Sequence, residues 1–137
     1  MKAWIALLCA IVLPFAAVAS EQEEGKEPDP TAKVAYVSLV PALVGNFGSG
    51  PRLKYFKADI ALRVTGSEAE TKVEHHEPLI RNQLVMLFSQ QTDETLSSPE
   101  AKEALRQEAL KQVQQVLNAE EGKPLVDDLL FNNLIVQ

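Results

Sequence analysis

Residues 55–65, YFKADIALRVT, alternate between two kinds of side chain with almost no break. Phe56, Ala58, Ile60, Leu62 and Val64 fall on one side, and Lys57, Asp59, Ala61, Arg63 and Thr65 on the other. A period of two is the signature of an extended strand, and one apolar face means burial on one side only. That pattern fits an antiparallel sheet with one covered face and one wet face. No other stretch of the chain restricts the fold so strongly. Gly66 ends the strand.

The remaining elements follow from punctuation and period. VAYVSLV reads as a short first strand stopped by Pro41, and GNFGSGP as a turn region in which Gly48 and Gly50 are free to take positive φ. Helical spacing runs from about Ala69 to Gln91, with Pro78 inside it as a kink or a fresh start. Leu79, Ile80, Leu84, Leu87 and Phe88 form its apolar stripe, widened by Val85 and Met86, so packing on more than one side is expected. Ser98-Pro99-Glu100 is a helix start: a capping serine, proline at the first helical position, and an acid at the positive end of the dipole. That helix reaches about Asn118. It buries Ala101, Leu105, Ala109, Val113, Val116 and Leu117, and wets Glu103, Arg106, Glu108 and Lys111. Gly122 and Pro124 then turn the chain into VDDLLFNNLIVQ. Chain ends are commonly frayed and polar, so an apolar end reads as a strand inserted in the sheet. The order β-β-α-α-β gives an α+β fold, with helices packed on one face of a small antiparallel sheet.

Before this domain come two segments of different character. Residues 1–19 carry one base, Lys2, then an apolar run from Ala3 to Phe15 broken only by Pro14, and end in Ala17-Val18-Ala19. This reads as a signal peptide cut before Ser20. The rival is a retained N-terminal anchor: Ala3 to Ser20 as a helix reaches roughly 27 Å, near the lower limit for a bilayer. Either way the rest of the chain is expected outside the cytoplasm. Residues 20–33, SEQEEGKEPDPTAK, are acidic and proline-containing and read as a flexible linker. The folded domain is expected over residues 34–137.

Charge and cysteine content exclude several kinds of function. The net charge is −6, which gives nucleic-acid binding no electrostatic support. Removing the first twenty residues leaves twelve bases against 19 acids, or −7. Cys9 is the sole cysteine. The exported part therefore has no disulfide, thiol nucleophile or thiolate metal site. His75 and His76, flanked by Glu74 and Glu77, are the one metal-like cluster. Adjacent helical residues point about 100° apart, whereas a helical zinc pair needs i and i+4 spacing. They read as two surface histidines. No Gly-x-Ser-x-Gly elbow and no P-loop occurs. No catalytic residue, cofactor-binding residue, metal ligand or cofactor is assigned, and no small-molecule substrate is expected.

Four segments in order resemble the flagellar basal-body-associated FliL family, over about Tyr36 to Gln137. They are YVSLVPALVGNFG with Pro41 and Asn46, and RLKYFKADIALRV. Then comes EPLIRNQLVMLFSQQTDETLSSPEAKEALRQE with Pro78, Ile80, Arg81, Leu84, Leu96, Lys102, Leu105 and Arg106. The last is VDDLLFNNLIVQ with Phe131 and Gln137. Three features depart from the family's pattern. Only Lys2 precedes a short apolar run, where the family usually has a basic stretch and a long transmembrane helix. Ala101 stands where glycine is common, and Gln114 where asparagine is common. These departures point to a divergent periplasmic member.

The resemblance implies a stomatin- or prohibitin-like domain on the periplasmic side of the cell inner membrane, at the basal body of the bacterial flagellum. It implies a non-enzymatic role beside the stator, in flagellar rotation, swarming motility and chemotaxis, with assembly into a homo-oligomeric ring. Its implied partners are flagellar stator and basal-body proteins. A head-to-tail ring needs two different complementary patches. The wet face of the long strand (Lys57, Asp59, Arg63) and the exposed face of the long helix (Glu103, Arg106, Glu108, Lys111) are the candidates. Arg81 is a further candidate, because a charge amid an apolar helix needs an acid or a carbonyl partner when buried. Two other readings compete: a periplasmic binding or inhibitor module unrelated to the flagellum, and a metalloenzyme using His75 and His76.

Overall fold

The computed structural model describes residues 32–137. The expected signal peptide or anchor, and the linker up to Thr31, lie outside them. The elements are β1 (Val34–Ser38), β2 (Leu43–Phe47), β3 (Lys54–Thr65), α1 (Ser67–His75), α2 (Glu77–Ser89), α3 (Asp93–Ser97), α4 (Pro99–Glu121) and β4 (Val126–Val136).

The alternating strand, β3, is the middle of an antiparallel four-stranded sheet. β4 pairs with it from Phe56 to Val64 and takes one whole side. β1 and β2 therefore share the other side end to end, β1 against Ala61–Thr65 and β2 against Lys54–Ala58. Between them runs a short loop holding a cis Val40–Pro41 peptide. Its return to the sheet is marked by the Leu39 N–H, which donates to the Ile60 carbonyl at 2.9 Å.

The α+β class expected from the sequence is present, with two elements added to the expected β-β-α-α-β order, strand β2 and the short helix α3. Gly45, Asn46 and Phe47, expected in the turn region, lie in strand β2, and the turn follows at Gly48, whose φ is 84°. Gly45 sits in this strand for a steric reason. A Cβ there would meet the Phe56 ring at 2.8 Å. Of the two readings of Pro78, a kink or a fresh start, the second holds: the helical stretch is two helices, α1 and α2, divided at His76, with Pro78 in the first turn of the second. That position is tolerated because the missing N–H has no helical partner there anyway.

All five inward residues of β3 are buried and join one core with Val73, Ile80, Leu84, Phe88, Leu105, Ala109, Val113 and Leu117. The four buried residues of α4 recur every fourth position, one ridge of the helix. Ser98 Oγ accepts from the Ala101 N–H at 3.1 Å, the cap that the Ser-Pro-Glu sequence announces. α2 packs on β2 and on α4, and its Gln83 donates to Gln112 of α4 at 2.9 Å. Leu79 and Met86 of its stripe stay exposed, so the packing of α2 is less extensive than the breadth of that stripe implies. Phe88 bridges sheet and helix layers, its ring centroid 5.1 Å from that of Phe56 and 5.8 Å from that of Phe131.

β4 does not alternate strictly, because two bulges interrupt it. Asp127 and Asn132 are the extra residues, which the register passes over. With them set aside, Val126, Leu129, Phe131, Leu134 and Val136 all stand opposite inward residues of β3. A bulge inserts a residue without turning the rest of the strand over.

The contact at Gly45 yields a test. Gly45→Ala pushes a methyl into the fully buried Phe56 ring, and overpacking of that kind costs about 1–3 kcal/mol. A chemical denaturation midpoint unchanged from wild type would contradict the close approach.

Candidate functional site

Every described helix packs on one side of the sheet, so the outward side chains of its strands form an open face. Register places them in rows across the strands. Val44, Lys57 and Ile135 stand side by side across β2, β3 and β4. Next to them is the row of Asn46 and Tyr55, extended by Gln137, which exchanges both backbone hydrogen bonds with Tyr55 at 2.7 and 2.9 Å. Toward the other end come Ser38, Ala61 and Leu130, then Tyr36, Arg63 and Asp128.

The two ends of this face differ. At the β2 end, Val44 is 63 % exposed and Tyr55 51 %. With Ile135 they surround Lys57 and line a shallow hollow of about 320 Å³. Lys57 has no ion-pair partner among the described residues. At the β1 end Arg63 faces Asp128 in register, and Thr65 Oγ1 donates to Asp127 Oδ2 at 2.6 Å. Apolar groups around one uncompensated cation suit a partner surface that is apolar with an acid in it. Single exposed apolar residues are common, whereas a cluster marks an interaction surface.

Six of the eight charged residues singled out in the sequence are placed differently. Lys57 and Arg63 lie on the open face. Lys111 is exposed on α4. Glu103 is exposed too, but it takes both its oxygens to Arg106, at 2.6 and 2.8 Å. Arg106 is turned inward against β4, donating to Asp128 Oδ1 at 2.6 Å and to the Leu129 carbonyl at 2.9 Å. Arg81 has found a carbonyl: it donates to Pro41 O at 2.7 Å, with Glu77 at 3.6 Å. These two arginines tie elements together, α2 to the β1–β2 loop and α4 to β4. The spacing of Arg106 on the helix reads as a wet position. The reach of an arginine side chain lets it leave that side.

The histidines do not converge. His75 and His76 meet edge to face, 5.0 Å between centroids. His76 Nε2 lies 2.7 Å from Glu121 Oε1, at the far end of α4. Lys72 joins the same carboxylate at 3.1 Å. The hydrogen bond to His76, then that to Lys72, holds Glu121 below its ordinary carboxylate range. Lys72 is raised in turn, chiefly by Glu121 and then by Glu68. This network fastens α1 to the end of α4. Among the described residues, no group of three or more His, Cys, Asp or Glu is placed to hold a metal ion. No described helix is long and apolar enough to cross a membrane.

Sequence reasoning missed the apolar part of the face. Tyr55 was legible by extending the alternation of β3 backward. Val44 was hidden by the turn-like composition of β2, and Ile135 by the bulge at Asn132.

The Arg106 bonds, then those of Gln107, hold the Glu103 carboxyl at about 2, below its ordinary 4.5. A depressed carboxylate stabilises the fold above its unfolded value, and that contribution fades as pH falls toward the folded one. Glu103→Gln should therefore melt below wild type near neutrality, and the difference should close on acidification to about pH 2. A difference that does not change with pH would contradict this ion pair.

Comparison with known proteins gives the family of this domain. A family model described as "Flagellar basal body-associated protein FliL" matches residues 36–137. The chain is 27 % identical over 112 residues to "Flagellar protein FliL" of Aquifex aeolicus (strain VF5), an alignment covering 82 % of this chain and 66 % of that protein. The matched residues run from the second residue after the start of β1 through the whole of β4, and so take in the open face and the helices behind it. The chain belongs to the FliL family of flagellar basal body-associated proteins.

Proposed function

We propose that this protein acts by assembly and not by catalysis, at the flagellar basal body on the periplasmic side of the inner membrane. There it supports the stator in flagellar rotation, and through it swarming and chemotaxis. Family membership carries the flagellar part of this reading. The observation that supports binding is the open face, with Val44, Tyr55 and Ile135 around Lys57 and no described helix over it. Lys57, Arg63 and Lys111 are the proposed partner contacts, with Glu103 beside them. Arg81 and Arg106 hold the elements that present them. Self-association into a ring belongs to the same reading, the open face of one copy meeting the outer side of α4 on the next. Apolar contact supplies most of the energy in such an interface, and the scattered charges select the partner.

The test is localisation. A small epitope inserted between Ser20 and Lys33 is compatible with signal cleavage and leaves β4 untouched. Fixed, permeabilised cells are then imaged alongside labelled flagella. The expected result is foci at flagellar bases that disperse in a strain lacking stators. A diffuse periplasmic signal in both strains would remove the motor function and favour a binding module unrelated to the flagellum.

A further inference from the structure

The two edges of the sheet are guarded differently. Edge strands present unpaired backbone groups and are normally protected by charge, proline, bulges or a covering element. The β1–β2 edge is short and broken by the Pro41 loop. The first half of β4 is covered by α4: Gln114 donates to the Val126 carbonyl at 2.8 Å, and Arg106 to the Leu129 carbonyl at 2.9 Å. Among the described residues, none covers the second half in this way. From Leu129 to Gln137 the strand contains no charged side chain, proline or glycine.

The backbone there points outward. Gln137 and Tyr55 exchange both of their hydrogen bonds. Antiparallel pairs alternate between bonded and non-bonded, so Val136 and Leu134 turn their N–H and C=O groups away from β3. Alongside runs a groove of about 500 Å³, between Leu130–Leu134 and the first turns of α4. Lys102 and Glu103 stand on its helical wall.

We propose that this half of β4 pairs with the same half of a second copy, antiparallel about a two-fold axis, joining two sheets into one. Charge argues for a copy of the chain as the occupant. The protein is acidic as a whole, yet Leu129 to Gln137 carries no charged side chain, so the side chains of two copies meet here without repulsion. The groove wall carries Lys102, Glu103 and Arg106, charges of both signs, so across a two-fold axis Lys102 of one copy can meet Glu103 of the other, as an isologous contact requires. The contact is additional to the head-to-tail one that a ring needs, and does not depend on the flagellar reading.

The test uses the full chain with Cys9→Ser, so that any introduced cysteine is the only one. Asn133→Cys and Ile135→Cys, both exposed, are expressed separately and together in cells and oxidised with copper phenanthroline. Opposed residues of an antiparallel pair have Cβ atoms about 4.5–5.5 Å apart, close enough for a disulfide after small shifts. A covalent dimer is expected from one of the single variants or from the mixture. Val136→Pro in the same chain removes an outward N–H without touching the β3 ladder, and most of the dimer should be lost. Asn132→Lys, at the exposed bulge, is the second variant and should weaken it by like charge, whatever the proline does to folding. No dimer from any combination would overturn the proposal. So would a dimer insensitive to both variants, or equal cross-linking from Lys111→Cys on the far side of α4.

Discussion

The pairing of β4 with β3 is the contact on which the rest of this domain depends. Among the described residues, β3 is the one strand with partners on both sides, and β4 supplies the longer of them. Between these two strands the chain makes all of its described helices. Closing so long a loop is entropically costly, so the ladder and its apolar face must offset it together. The helices contribute from beneath. Leu105, Ala109, Val113 and Leu117 press one ridge of α4 into the core, and Phe88 lies between Phe56 of β3 and Phe131 of β4. Fully burying a valine, leucine or phenylalanine side chain is worth about 1.5–3 kcal/mol, and Phe88 meets rings of two strands at once.

The arginines complete the closure by a different means. Arg106 reaches from α4 to the Leu129 carbonyl, and Arg81 from α2 to the Pro41 carbonyl. Both answer backbone acceptors that the sheet leaves unpaired, one on an edge and one in a loop. A helix so tethered cannot slide over the sheet without giving up a charge-assisted bond. The His76–Glu121–Lys72 network does the same for the break between α1 and α2. The charges that lock the fold are therefore gathered on the helix side and at the β1 end. The β2 end of the sheet keeps an apolar face around Lys57 and an unguarded edge beside it. A surface left in that state is the part of the molecule suited to a partner.

Much of this was legible in the sequence, and the failures have physical causes. The alternation of Phe56 to Val64 identified the inner face of β3 residue by residue, because strand period and one-sided burial coincide there. Ser98 and Pro99 marked the start of α4, since capping chemistry is local. β2 was missed because Gly45 and the nearby glycines look like a turn. The reason for Gly45 is the Phe56 ring, a contact between different strands that spacing alone does not encode. The register of β4 was obscured by Asp127 and Asn132, which break the alternation without changing which face is buried. Arg106 was read as a wet residue from its place on the helix, but its long side chain reaches the edge of β4. The candidate surface was found only in its charged half, Lys57 and Arg63. Its apolar half depends on the register of three strands.

Native-state hydrogen exchange tests the central dependence most directly. The β3 amides that bond β4, at Tyr55, Lys57 and Asp59, should open only with the whole domain, at the same free energy as the interior of α4. Amides of β3 that exchange well before those of α4 would mean that β4 detaches while the helices stay folded. The closing strand would then be an accessory to the domain and not its keystone.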